Sequence, residues 1–363
     1  MAELRGSLFA LVLVEVADQI HLEPLRKVLG VGPARREPAF KHPAPEYVRF
    51  ERPPVVEDVD PVELVTGEKF QCRVKYYENG VACVELELPF ACDWDGLLKL
   101  TSRWVGSAIL EKRADEVLRT RLTWARKALV DPYEANLSEE YYIIHVNSAG
   151  VGMNASAMLA AHGREIAQMV RGESAALSEA EYNDVLQGGM SYYPNDLLVA
   201  GWVAAFLYET TVYDTAEGAA PAIQLLEYAN TQLLEFRHYD EVLTRVLDGV
   251  YKAIGPKRGF FSRWNLARQA RELNALRLEV TELTERADNS IKFLSDMFYA
   301  RAYRMAAAKV GVPDYRNLVE RKLRIAAELY EHMVNEYHQA RSFALEMAVV
   351  VILVIELVKL FWK

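Results

Sequence analysis

The segment Gly150-Val151-Gly152-Met153-Asn154-Ala155 has the residue types and spacing of a phosphate-binding turn. Glycines in such a turn let the backbone approach phosphate oxygens, and the helix that follows offers its N-terminal N–H groups. The pattern predicts a strand before it and a helix after it, as such a turn requires. No strand ending in an acid is expected about twenty residues further on, where a ribose would be held. A flexible turn at a helix entry accounts for the same residues. A nucleotide-dependent enzyme built on 150–155 is the second alternative reading of function.

A second candidate is Leu233–Asp240, where Glu235, Arg237, His238 and Tyr239 crowd together. Glu235 or Arg237 beside His238 would suit acid–base chemistry. Ion pairs along one helix face, with Tyr239 packed, use the same residues and are the favoured reading. The seven histidines show no paired-ligand spacing. No nucleophile elbow, P-loop or Cys–His arrangement occurs. Cys72, Cys83 and Cys92 have no metal-ligand spacing, and so sparse and odd a count fits a reducing compartment. No catalytic, metal-binding or cofactor-binding residue is therefore assigned, no cofactor is expected, and an enzymatic role is disfavoured.

Charge is the third signal. The net charge of −9 argues against a general nucleic-acid binder. Within that acidic chain, Lys257–Arg277 holds six basic residues and one acid, and Arg301–Arg324 holds seven and two. These local excesses suit anionic headgroups or RNA phosphates, or else a solvated helix face.

The elements that must position these residues follow from hydrophobic periodicity. Length points to two domains, or one with an appendage, and 51% apolar residues allow a real core. Met1–Arg5 lacks the character of a targeting signal. Ser7–Val16 reads as a buried strand and Asp18–Leu29 as a helix. Pro33 to Pro61 holds seven of fourteen prolines, so it reads as an extended strap. Phe70, Cys72, Val74 and Tyr76 alternate with polar residues, as do Ala82, Val84, Leu86 and Leu88. A three-residue loop, Glu78-Asn79-Gly80 with Gly80 left-handed, keeps both apolar sets on one face. It pairs Val74 with Val84 and Cys72 with Leu86, and sets Arg73 against Glu85. Helices are expected over Asp95–Ile109, Ala114–Val130 and Ala155–Val170, and a strand over Tyr141–Val146. Ser178-Glu-Ala-Glu181 is a capping box opening a further helix. Leu197–Leu207 is read as one strand. Ile223–Ile254 is a single helix ended by Gly255-Pro256. Leu273, Leu276, Val280, Leu283 and Ala287 continue through Ile291, Leu294 and Phe298 as a coiled-coil-like seam. Gly311 to Asp314 breaks the chain before a final helix.

Phe343–Trp362 reads FALEMAVVVILVIELVKLFW, about long enough to cross a bilayer. Glu346, Glu356 and Lys359 lie within it, and Glu356 and Lys359 are spaced to pair. An acid near the centre costs roughly 2–3 kcal/mol, which the dense aliphatic run offsets at roughly 0.3–0.6 per residue. A buried core or oligomerisation helix is the alternative.

Lys75–Phe90 (KYYENGVACVELELPF), Ala161–Glu173, Asp196–Glu209 and Ala344–Leu357 occur in that order. Together they resemble the required-for-meiotic-nuclear-division family of bacteria and mitochondria. That resemblance implies an α+β head with a C-terminal membrane segment. Its mitochondrial members support organelle translation from the inner membrane as assembly or tethering factors.

The expected fold class is α+β, a mixed sheet with flanking helices. A long antiparallel helical hairpin and a single C-terminal transmembrane helix follow it. The expected divisions are an N-terminal strand, helix and strap (1–62), the head (63–215), a helical region (216–342) and the anchor (343–362). The expected function is a membrane-tethered, non-enzymatic scaffold or assembly factor. It would contact lipid through its last helix, self-associate through the hairpin and keep its head on the cytoplasmic or mitochondrial-matrix side. A ribosome- or RNA-tethering factor is the first alternative.

Overall fold

A computed structural model describes residues 3–30, 54–64, 67–134, 137–150, 152–209, 220–254, 274–275, 278, 280–281 and 297–361. The strands are β1 (Leu4–Glu15), β2 (Ala17–Ile20), β3 (Val55–Glu63), β4 (Lys69–Tyr76), β5 (Val81–Cys92), β6 (Leu129–Pro132), β7 (Ser138–Ser148), β8 (Gly189–Met190), β9 (Asp196–Ala200) and β10 (Ala204–Glu209). Between them run α1 (Leu22–Leu29), α2 (Trp94–Trp104), α3 (Ala108–Ala125), α4 (Ala155–Arg171) and α5 (Glu179–Gln187). The C-terminal helices are α6 (Ala220–Ile254), α7 (Met297–Val310) and α8 (Val312–Phe361).

Among the described residues, eight strands form one mixed sheet in the order β3-β4-β5-β1-β7-β10-β9-β8. β1 sits at its centre, antiparallel to both β5 and β7. β10 runs parallel to β7, the crossover passing through α4 and α5. The expected register of the β4–β5 hairpin is present: Val74 faces Val84, Cys72 faces Leu86, and Arg73 faces Glu85. Gly80 turns the loop at φ 93°. A Cβ there would also lie 1.8 Å from the Ala17 carbonyl oxygen, so the loop packs tightly on β2.

One face of the sheet is apolar. Ala10, Val12, Val74, Val84, Leu86, Ile144 and Phe206 pack there against buried residues of α1 to α5, including Leu25, Leu97, Leu118 and Ile166. The other face turns Lys75, Cys83 and Glu85 toward α6.

Several expectations are corrected. Asp18–Leu29 is not one helix, because β2 precedes α1. The single strand over Leu197–Leu207 is a hairpin, β9 and β10, turned at Gly201-Trp202-Val203, where Gly201 N–H donates to the Ala204 carbonyl at 2.9 Å. Asp95–Ile109 holds two helices, since Gly106 is left-handed at φ 72°. Of the proline-rich strap, 31–53 lies outside the described residues, and Val55–Glu63 is an edge strand with a bulge between Val59 and Val62. Pro61 sits at that bulge, where the sheet tolerates a missing N–H.

The transmembrane helix and the membrane location are overturned. Among the described residues, no helix is long and apolar enough to cross a membrane. α8 reaches Phe361, but Glu346, Glu356 and Lys359 interrupt it and leave only Met347–Ile355 free of charge. Nine residues make about 14 Å of helix, against a hydrocarbon core of about 30 Å. Among the described residues, no long hairpin is evident either. Most of the expected seam lies outside the described residues, although Val280 is buried.

The chain divides into two compact units. One is Met1–His238 with Arg286–Tyr315, and holds the sheet. The other is Tyr239–Glu285 with Arg316–Lys363. In the second unit, Leu247 and Ala326 form a small apolar core, and Lys322 pairs with Asp240 at 2.6 Å.

Candidate functional site

β4 and β5 place alternate residues on the α6 side, and α6 answers with Glu227, Thr231 and Glu235, one turn apart and all buried. Lys75 Nζ lies 2.6 Å from Glu85 Oε2 and 2.5 Å from Glu227 Oε2. Arg73 supports Glu85 at 3.2 Å and Glu87 at 2.8 Å. Ser7 Oγ donates to Glu87 at 2.9 Å. Burial pushes the Lys75 ammonium down, but the Glu227 and Glu85 carboxylates together outweigh it and hold it up. A lysine held charged is no nucleophile or Schiff-base former. Burial, then Glu227, pushes the Cys83 thiol up, so it is unreactive. The cluster fastens α6 to the sheet.

The residues singled out at 233–240 are drawn apart into separate pairings. Asn79 donates to Glu235. Arg237 pairs with Glu139. His238 stacks on Tyr133 with centroids 4.8 Å apart, and Tyr133 donates to Asp18 at 2.6 Å. These contacts fasten α6 to the sheet unit. Lys75 and Glu227 escaped the sequence reading, in which Glu85 stood only as the partner of Arg73. Their signal was a charged alternation within the hairpin, matched by the polar stripe Glu227-Thr231-Glu235 in a long helix.

At 150–155 the strand–turn–helix context is as expected, with Gly150 and Gly152 left-handed at φ 86° and 82°. The amides at the entry of α4 already have partners. Ala157 N–H donates to the Asn154 side chain at 2.8 Å, and Ala155 N–H to the Pro194 carbonyl at 2.7 Å. Neither of these two N–H groups is available to a phosphate unless its present bond is broken.

Of the basic segments, Lys257–Arg277 lies almost entirely outside the described residues. Within Arg301–Arg324, Lys309 pairs with Asp184 at 3.6 Å and Arg316 with Glu320 at 3.0 Å. Cys72 and Cys83 are buried on opposite faces, and burial raises the Cys72 thiol to about 12.

One surface stands out. From Leu345 to Val358, eleven apolar side chains of α8 are each 47–60% exposed. Val349 to Ile355 are seven in succession, so the helix is apolar on every side over two turns.

The family described as “Uncharacterized protein MJ0711, N-terminal domain” matches residues 5–214. The uncharacterized protein MJ0711 of Methanocaldococcus jannaschii is 17% identical over 299 residues, covering 82% of this chain and 84% of the relative. No solved structure matches.

Proposed function

This chain belongs to the MJ0711 N-terminal domain family through residues 5–214, and we propose that the helices beyond that domain make it a self-associating, non-enzymatic assembly scaffold. The exposed apolar segment Leu345–Val358 carries the reading. Its uncovered surface is on the order of 1,000 Å², well above a usual monomer patch and close to the roughly 800 Å² per partner of a stable interface. A helix apolar all round needs cover all round. One groove shields one side, whereas identical helices in a bundle shield each other.

Light scattering behind gel filtration, at micromolar concentration without detergent, tests this. The full chain is expected to elute as an oligomer. A chain ended after Gln339, and the variant Ile352→Glu, are expected to elute as monomers with the sheet unit's circular dichroism unchanged. A monomeric full chain overturns the proposal.

A further inference from the structure

Glu15 closes β1 in the sheet unit, at the corner where the β4–β5 loop meets α6. Its backbone is fixed there. Its N–H donates to the Leu137 carbonyl at 2.9 Å, and the next N–H, of Val16, donates to the Gly80 carbonyl at 2.9 Å. Its side chain is buried, and among the described residues Oε2 has no hydrogen-bond partner. Asn79 belongs to the same corner. Its Nδ2 donates to Glu235 of α6, which sets the orientation of the amide and leaves its buried Oδ1 without a partner as well. Two further acids act on Glu15, Glu235 from α6 and Asp18 from β2. Asp18 accepts the hydroxyl of Tyr133, on which His238 stacks, and Glu139 of β7 is paired with Arg237. Two buried oxygens therefore lack a donor, and the charges acting on Glu15 are negative. Leaving such acceptors unmet is costly. A proton on Oε2 removes the charge and turns an acceptor into a donor. Among the described residues, no three His, Cys, Asp or Glu side chains converge to hold a metal ion, and a proton is the cation that fits.

We propose that Glu15 is a proton-operated latch on the last turns that α6 contributes to the sheet unit. With the proton in place the corner stays shut, and Asn79 keeps its bond to Glu235. Once the proton leaves, a carboxylate buried beside two others is stable only in water, and the corner opens to admit it. The Lys75–Glu85–Glu227 triad, about two turns back along α6, stays closed. Burial first, then Glu235 and Asp18, hold the Glu15 carboxyl well above the usual carboxylate range. The closed corner is thus favoured below the ordinary carboxylate pKa and is lost as pH rises through the raised one.

Amide exchange of the full chain from about pH 5 to about pH 9, corrected for the intrinsic rate, tests this at residues 232–238 and 224–230. In the parent, exchange at 232–238 is expected to quicken by up to about tenfold per pH unit until Glu15 has ionised, while 224–230 holds steady. Glu15→Gln keeps the shape and cannot ionise, so its 232–238 exchange is expected to be flat with pH. The carbon-13 signal of the Glu15 carboxyl gives an independent reading, and is expected to titrate at least about one unit above the ordinary value of about 4.3. An ordinary titration of that carboxyl overturns the proposal. So does equal quickening of both segments, no quickening in the parent, or a pH dependence at 232–238 that persists in Glu15→Gln.

Discussion

The two faces of the sheet are made from the same strands, yet they hold their helices by different physics. Toward α1–α5 the strands present Val12, Val74, Val84, Leu86, Ile144 and Phe206, and contact is mainly by apolar burial, with Arg121 of α3 paired to Glu57 of β3 at 3.2 Å near its edge. Toward α6 the same β4 and β5 present Lys75, Cys83 and Glu85, and the helix is met by a buried ionic triad. Apolar contact is strong and non-directional, and a helix can settle on it in several nearby positions. A lysine between two carboxylates has one position that satisfies it, at the cost of desolvating three charges. Buried apolar residues supply stability on both faces, Leu11, Leu13 and Ile143 among them on the α6 side, while the ionic triad specifies where α6 sits.

Breaking the ionic face in half gives the largest expected effect. Lys75→Met leaves Glu85 and Glu227 buried without their cation, and should lose about 4 kcal/mol by urea unfolding. Adding Glu227→Leu removes the orphaned charge and leaves Glu85 to Arg73. The double variant should recover most of that loss, while amide exchange in α6 around residue 227 quickens because the ionic contact no longer fixes its position there. If exchange in α6 stays as slow as in the parent, the positioning role is wrong.

Next in size is a cut on the apolar face. Leu86→Ala, fully buried in the core cluster, should cost about 3 kcal/mol through lost transfer energy and a cavity. That loss should be the same in low and high salt, and should leave α6 exchange unchanged relative to its neighbours. A salt-dependent loss would blur the distinction between the faces.

How much of this could be read from the sequence differs between the two faces. The alternation at 70–88 determined the hairpin, its register and Gly80, because a one-residue slip would reverse every side chain. The Ser178 cap also announced its helix: its hydroxyl accepts the Glu181 N–H at 3.3 Å. The β9–β10 turn was hidden. Gly201 sits inside an unbroken apolar run, and both strands are buried, so no polar punctuation marks the bend. The ionic triad was equally hidden, since Lys75 and Glu227 are 152 positions apart. Periodicity reports which face a residue occupies, and says nothing of what arrives there. The terminal helix misled for a related reason. Its mean apolarity resembles a membrane span, while the spacing of Glu346, Glu356 and Lys359 decides against one.

The smallest expected effect sharpens the comparison through pH. Glu15 ends β1 on the α6 side, 4% exposed, and among the described residues its Oε2 has no hydrogen-bond partner. Burial first, then the charges of Glu235 and Asp18, hold its carboxyl well above the usual carboxylate range. A raised folded value means that the folded state binds the proton more tightly than the unfolded chain does. Glu15's contribution to stability is then fully present below the ordinary carboxylate pKa, and is lost as pH rises through the raised one. Glu15→Gln keeps the shape without the charge. It should stabilise the protein by about 1 kcal/mol at neutral pH. That gain should vanish below about pH 4, where Glu15 is protonated in both states. Urea unfolding of both proteins at the two pH values measures it. A gain that persists unchanged in acid would mean that shape, and not a buried charge, limits this corner of the ionic face.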